Sequence, residues 1–275
     1  MERRDQFLHL EKVPAPVRFV ARVTPSWKST YRYGALGLFS FALIAGIWKM
    51  YHFVSATTVT TWMELLTSTG LTLVRVFCAV VLGSLWAIPV GVLIGTRPAL
   101  TRRLQPVVQI VAAFPFPMLF PLIVLLMARW GIDLEVGAIA LLMLSSQWYI
   151  LFNIISGASA IPASVMELAA MFRIRGWAYW KAIIFPAIYP SLVNGWVTAA
   201  GGAWNACIVA EWVKAGDKVH KAHGIGASIT VSAETANFAV LASGVTTLVV
   251  TVVLINRFLW GWLYRRAETK YKMEI

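Results

Sequence analysis

Charge is scarce in this chain: of 275 residues only 13% are Asp, Glu, Lys or Arg, against roughly a quarter in soluble domains. Acid is scarcer than base, 12 residues against 24, which leaves a formal net charge of +12. Cysteine is nearly absent. Cys78 and Cys207 both lie inside apolar runs with no CxxC or Cys/His spacing, so they read as small buried hydrophobes rather than a disulfide or a zinc site. Arg3 and Arg4 are followed by Asp5, His9, Glu11 and Lys12 instead of an apolar stretch, so neither a cleaved signal peptide nor a twin-arginine leader is expected. No G-x-x-x-x-G-K-[ST] phosphate loop occurs, which excludes ATP hydrolysis by that chemistry. No acidic residue lies deep in an apolar run, which counts against proton-coupled secondary transport.

What the chain has instead is apolar and aromatic surface. Hydrophobic residues make up 59%, with 13 Trp and 14 Phe, and the mean hydropathy is +0.71. These values describe an integral membrane protein. Six runs are long enough to cross a bilayer, at about 20 residues each: roughly 33–50, 71–95, 105–127, 135–157, 187–213 and 238–262. Little length remains for a soluble catalytic or ligand-binding domain, which takes on the order of 150 residues. The division expected is a cytoplasmic segment 1–32, a six-span domain 33–262 and a cytoplasmic tail 263–275.

An even number of spans puts both termini on one side. That side carries seven Lys/Arg in residues 1–32, three in 96–104, three in 158–186 and five from Arg257 onward, eighteen in all. The other side has five: Lys49, Arg129, Lys214, Lys218 and Lys221. The asymmetry puts both termini in the cytoplasm. It also explains the basic charge without a nucleic-acid partner, which would need a basic patch on a soluble surface. Trp27, Trp48, Trp62, Trp130, Trp212, Trp260 and Trp262 fall near span ends, as an interfacial belt would.

Within the spans, Gly83, Ala87, Gly91 and Gly95 form an i, i+4 ladder, repeated by Gly195, Ala199, Ala203 and Cys207. Small residues at this spacing let helices approach closely. Pro115, Pro117 and Pro121 crowd the third span, and each removes an N–H and kinks or breaks a helix. Asn194, Thr198, Gly201 and Asn205 share one face of the fifth span. Gln147 and Asn153 lie in the fourth span, and Arg75 near the outer end of the second. These polar groups either line a water-filled pathway or fix the bundle by interhelical hydrogen bonds. Glu211 has three readings: a gate residue, a partner for Arg75, or a solvated interfacial carboxylate.

The segment 158–186, between the fourth and fifth spans, carries the most specific pattern. Pro162 and Ser164 mark a helix start, and Ser164-x-x-Glu167 has capping-box spacing. A short helix over 165–172 follows, then a break near Arg173–Gly176, then a helical stretch from Trp177 to Pro186. Leu168, Met171 and Phe172 make an apolar face suited to docking another protein or to lying on the membrane.

The run Glu167, Leu168, Ala169, Ala170, then Trp177, then Ile184, Phe185 and Pro186 resembles the EAA loop of type I ABC importer permeases, in length and in its place before the penultimate span. From about Trp62 onward the chain is similar to the nitrate/sulfonate/taurine and bicarbonate branch of that family. The likeness is carried by 72–75, 88–91, 113–115, 147–149 with Asn153, and 198–206, and is strongest to the C-terminal half of double-length permeases. One departure stands out: the family's usual Gly six residues after the Glu is Arg173 here, with Gly176 three residues later.

The resemblance implies an all-α membrane fold, the six-helix type I ABC importer transmembrane domain with a cytoplasmic coupling-helix loop. It implies ATPase coupling through Glu167, Leu168, Ala169, Ala170, Met171, Phe172, Arg173 and Gly176. The polar residues of the spans, Arg75, Gln147, Asn153, Asn194, Thr198 and Asn205, are then the candidates for its translocation pathway. ATP and Mg would sit on two partner ATPase subunits, with no cofactor and no enzyme activity on this chain. The other implied partners are a second permease, identical or homologous, a periplasmic or lipid-anchored binding protein, and membrane lipid. The setting implied is a bacterial inner membrane, and the solute a small oxyanion such as nitrate, a sulfonate (taurine) or bicarbonate. The rival readings are a secondary transporter or channel-like protein not driven by ATP, and a membrane enzyme. For the enzyme, His220 and His223 give H-x-x-H on a Lys-rich loop with only Asp217 near, too few fixed ligands for a zinc site.

Overall fold

The computed structural model describes residues 26–270; the expected terminal segments otherwise fall on residues 1–25 and 271–275, outside the described residues. The chain divides between Lys49 and Met50 into two compact units. Over its described residues the first is a single stretch of helix. This helix, α1 (Ser26–Ser55), starts ahead of the apolar run at residue 33 and crosses the division. Backbone hydrogen bonding continues beyond the apolar stretch that hydropathy detects.

The second unit opens with α2 (Val59–Gly95), whose first turn is capped by Thr58 accepting the Thr61 N–H at 3.4 Å. Next come α3 (Pro98–Ala112), a 3-10 turn (Phe116–Leu119), α4 (Phe120–Arg129) and α5 (Leu134–Ser159). The short α6 (Ala163–Met171) precedes α7 (Gly176–Tyr179), which runs through a π-turn (Trp180–Ile184) into α8 (Phe185–Ala210). A hairpin of β1 (Trp212–Ala215) and β2 (Lys218–Lys221) follows, then α9 (Ile225–Glu234) and α10 (Phe238–Ile255). A second π-turn (Asn256–Trp260) leads to α11 (Gly261–Lys270).

Among the described residues, five helical stretches are long and apolar enough to cross a membrane, and the number is six when the α3–α4 pair, bent by 66°, is counted as one broken span. The bend lies where the proline run predicts it. Pro115 and Pro117 have no N–H to continue the ladder, and the chain closes two tight turns instead, Phe116 N–H to the Phe114 carbonyl (2.9 Å) and Met118 N–H to that of Pro115 (3.0 Å). Phe116 then stacks on Trp148 of α5, ring centroids 5.8 Å apart.

The fifth span differs from its expected bounds of 187–213. Its helix begins at Gly176 and ends at Ala210. Pro186 does not interrupt it, because the π-turn just before it shifts the ladder and Phe185 N–H reaches back to the Trp180 carbonyl. At the other end, Val213 belongs to β1.

α5 packs between α2 and α8, and the small-residue ladders are the contact surfaces. A Cβ on Gly91 would stand 2.6 Å from the Ile154 side chain, and one on Gly95 would stand 2.6 Å from the Ala158 Cβ and from the Ile155 carbonyl. Ala87, Ala199, Ala203 and Cys207 are fully buried. Where lipid competes for apolar surface, this close fit holds helices together. Indole N–H groups add polar links: Trp86 donates to Gln147 Oε1 and Trp196 to Ser84 Oγ, each at 2.8 Å.

The segment after Glu211, read from sequence as an external loop, is structured. Its hairpin pairs Trp212 with Lys221 and Ala215 with Lys218. α9 buries Ile225, Ala227 and Ile229 against α2, α8 and α10.

Candidate functional site

Three groups of side chains carry chemistry: one at each end of α5, and one along α8.

At the Ser159 end, α6 projects from the bundle between two spans. The helix starts at Ala163, with Pro162 at its cap position and no side-chain capping bond. The expected Ser164–Glu167 capping box therefore does not form. Ser164 already lies inside the first turn, too late to cap it, and the Glu167 carboxylate is left on the exposed side. Ala169 is the residue α6 turns inward, while Leu168, Met171 (77% exposed) and Phe172 (75% exposed) stand clear of the bundle. The break falls where expected. Arg173 takes a left-handed φ of +52° and Gly176 one of +60°. The position where the resembling family carries Gly is thus one that glycine suits, and Arg adopts it at roughly 1–2 kcal/mol.

Along α8, Asn194, Thr198, Gly201 and Asn205 form one exposed stripe on a helix whose other faces are packed. A Cβ on Gly201 would meet nothing within 4 Å. At the lower end of the stripe, Asn194 Nδ2 donates to Asn153 Oδ1 (2.8 Å) and Asn194 Oδ1 accepts from Tyr264 Oη (3.1 Å). Asn153 in turn donates to the Tyr149 carbonyl (2.8 Å), and Thr198 Oγ1 to that of Asn194 (2.8 Å). Asn205 makes no side-chain hydrogen bond among the described residues. Gln147 does not join this stripe: it is buried, bonded to Trp86 between α2 and α5.

Arg75 is also away from the stripe, at the Leu134 end of α5. It is buried, as is Glu211, which has no exposed surface. Arg75 Nη1 donates to Glu211 Oε1 (2.8 Å) and to the His223 carbonyl (2.9 Å), and its Nε to the Glu135 carbonyl (3.1 Å). Its Nη2 pairs with the Glu135 carboxylate. Of the three readings of Glu211, the partner for Arg75 is the one realised. Glu211 also accepts from Thr72 Oγ1 (2.7 Å) and from the Gly226 N–H (2.9 Å), while Thr72 accepts from the Ile225 N–H (3.0 Å). The first amides of α9, which no helix satisfies internally, are thereby capped by side chains from α2 and the end of α8. His223 is tied down rather than loose: its N–H donates to Glu135 Oε1 (2.7 Å), and its exposed ring pairs with the same carboxylate. Sequence reasoning missed Glu135 and Thr72. The available signals were an acid in the first turn of a span and the glycines at 224 and 226 opening a short apolar stretch.

Two relatives align with the chain over about half its length. It is 29% identical over 135 residues to the bicarbonate transport system permease protein CmpB of Synechocystis sp., covering 49% of this chain and 47% of that protein. It is 28% identical over 145 residues to the nitrate import permease protein NrtB of Synechococcus elongatus, covering 53% and 50%. The chain thus spans about half the length of the curated relatives it matches. Its fold is similar to a chain of the MetNI methionine ABC transporter in inward-facing conformations, with a TM-score of 0.61 at 21% identity over 77% of this chain and 99% of that one. Residues 87–271, which contain α6, the α8 stripe and Glu211, match the model of binding-protein-dependent transport system inner membrane components, and the chain belongs to that family.

Proposed function

We propose that this chain is the membrane-spanning permease subunit of an ATP-driven importer and forms, with a second permease chain, the pathway for a small oxyanion. The observation that carries this reading is α6: a short helix between two spans with Leu168, Met171 and Phe172 bare. Such a face calls for a protein partner, and the resemblance to the EAA loop supports an ATPase subunit in that role. Two such subunits supply ATP and Mg, and a binding protein outside the membrane delivers the solute. The excess of basic residues on the α6 side supports cytoplasmic termini. Relatives named for nitrate and bicarbonate support the solute class.

Along the pathway, Asn194, Thr198 and Asn205, with Asn153 behind them, offer amide and hydroxyl groups that hold an anion briefly without trapping it. Arg75 and Gln147 frame the bundle instead of touching solute. Nucleotide binding moves the coupling helices only insofar as it favours one access state over the other. Glu167 and the apolar face of α6 are where that preference enters this chain.

The test is assembly and coupling. Met171→Asp with Phe172→Asp should leave membrane insertion intact and abolish co-purification of the ATPase subunit. Glu167→Lys should leave ATP hydrolysis running without solute uptake in proteoliposomes. Wild-type uptake by both variants would remove the docking reading.

A further inference from the structure

α6 ends in a Schellman turn: Arg173 N–H donates to the Ala170 carbonyl (3.0 Å) and Ile174 N–H to that of Ala169 (2.9 Å). The turn needs one left-handed residue, and that residue is Arg173, at φ +52°. Glycine takes this conformation freely, whereas a side chain with a Cβ resists it. A residue held there against its preference points to work done by its side chain. Among the described residues that work finds no partner. Arg173 is exposed and enters no ion pair among the described residues.

Its surroundings indicate what it meets. Met171 and Phe172 directly precede it and are among the most exposed apolar side chains of the described residues. Arg175 and Lys181, both exposed, flank the turn, and Glu167 is the one acid in residues 163–181. The loop therefore presents an apolar plug edged by positive charge. The surface complementary to it is an apolar recess edged by carboxylates. A guanidinium meets a carboxylate through two parallel N–H donors, which glycine cannot supply and lysine matches only as a point charge.

We propose that Arg173 is the specificity contact of the docking loop, pairing with a carboxylate at the rim of the ATPase subunit's recess while Met171 and Phe172 fill its floor. This rests on the reading of α6 as the ATPase-docking element. The departure from glycine then marks the partner this permease accepts.

The experiment titrates the permease in nanodiscs with the purified ATPase subunit with which the wild-type chain assembles, at low and high KCl. Arg173→Gly should raise the thermal midpoint of the permease alone, since the turn is relieved. It should also weaken ATPase binding about tenfold at low salt and flatten the salt dependence. Arg173→Lys should recover part of the binding. Wild-type affinity and salt dependence in Arg173→Gly would overturn the assignment, and so would a lowered thermal midpoint, which would make Arg173 a structural residue. Met171→Asp with Phe172→Asp separates the two readings. If that pair binds normally, α6 is no docking element. If it fails to bind while Arg173→Gly binds fully, only the role of Arg173 falls.

Discussion

Arg75 and Glu211 form a buried ion pair in direct contact at 2.8 Å, and their value to the protein is asymmetric. Removing one partner of a buried pair strands the other and costs about 3–5 kcal/mol, whereas replacing both with apolar groups is often close to neutral. Glu211→Ala also withdraws the acceptor from Thr72 and from the Gly226 N–H, so the start of α9 loosens with it. A clear fall in the thermal midpoint of the detergent-purified chain is expected, with Arg75→Met plus Glu211→Leu restoring only part of it, because Thr72 and the Gly226 N–H still lack their acceptor and Glu135 loses its guanidinium. Unchanged unfolding in Glu211→Ala would show that the cluster is not a structural clasp. Glu135→Gln should do much less, within about 1 kcal/mol, because its side chain is 34% exposed and water replaces the lost pairing. The sequence made Arg75 and Glu211 visible as a possible pair, since each is a rare charge at a span end. It did not make Glu135 visible: an acid in the first turn of a helix is ordinary, and only the return of residues 222–226 over α5 turns it into a third member.

The helices themselves were legible wherever one period runs long enough. The i, i+4 ladders located both contact surfaces of α5, and the prolines located the bend between α3 and α4. What escaped was tertiary in origin. α9 is a 10-residue helix, too short to register as a span, and its first two amides are satisfied by Thr72 and Glu211 from elsewhere. The join of α7 to α8 escaped because Pro186 signals a helix start, and no local pattern reports a π-turn that carries the ladder past it. For the ladders, the consequence is sharp. Gly95→Val drives a branched side chain against the Ala158 Cβ and, more stubbornly, the Ile155 carbonyl, which cannot rotate away. Overpacking of this kind costs about 1–3 kcal/mol, measurable as accelerated loss of folded protein in detergent. A Gly95→Val chain as stable as wild type would mean that α2 and α5 do not rely on this approach.

For the molecule as a whole, the stripe on α8 poses the controlling question, because it is a polar surface within a membrane span. Unpaired amides facing lipid are costly, so Asn205 and its neighbours require water or another chain. Gly201 is the sensitive position: it lies mid-stripe and has open space where a side chain would go, so the fold itself should accept substitution there. Gly201→Leu is expected to assemble with the ATPase normally while uptake in proteoliposomes falls about tenfold or more, the scale of one misplaced group in a narrow passage. Gly201→Cys, with Cys78 and Cys207 replaced by Ala, should react with a membrane-impermeant thiol reagent and lose that reactivity when the transporter is locked in one access state. Labelling confined to lipid-soluble reagents, together with normal uptake by Gly201→Leu, would assign the stripe to a static contact between chains. The pathway would then have to lie elsewhere, and the bend between α3 and α4, where Pro115 and Pro117 interrupt the helical ladder, would be a stretch of irregular backbone in a span able to line it.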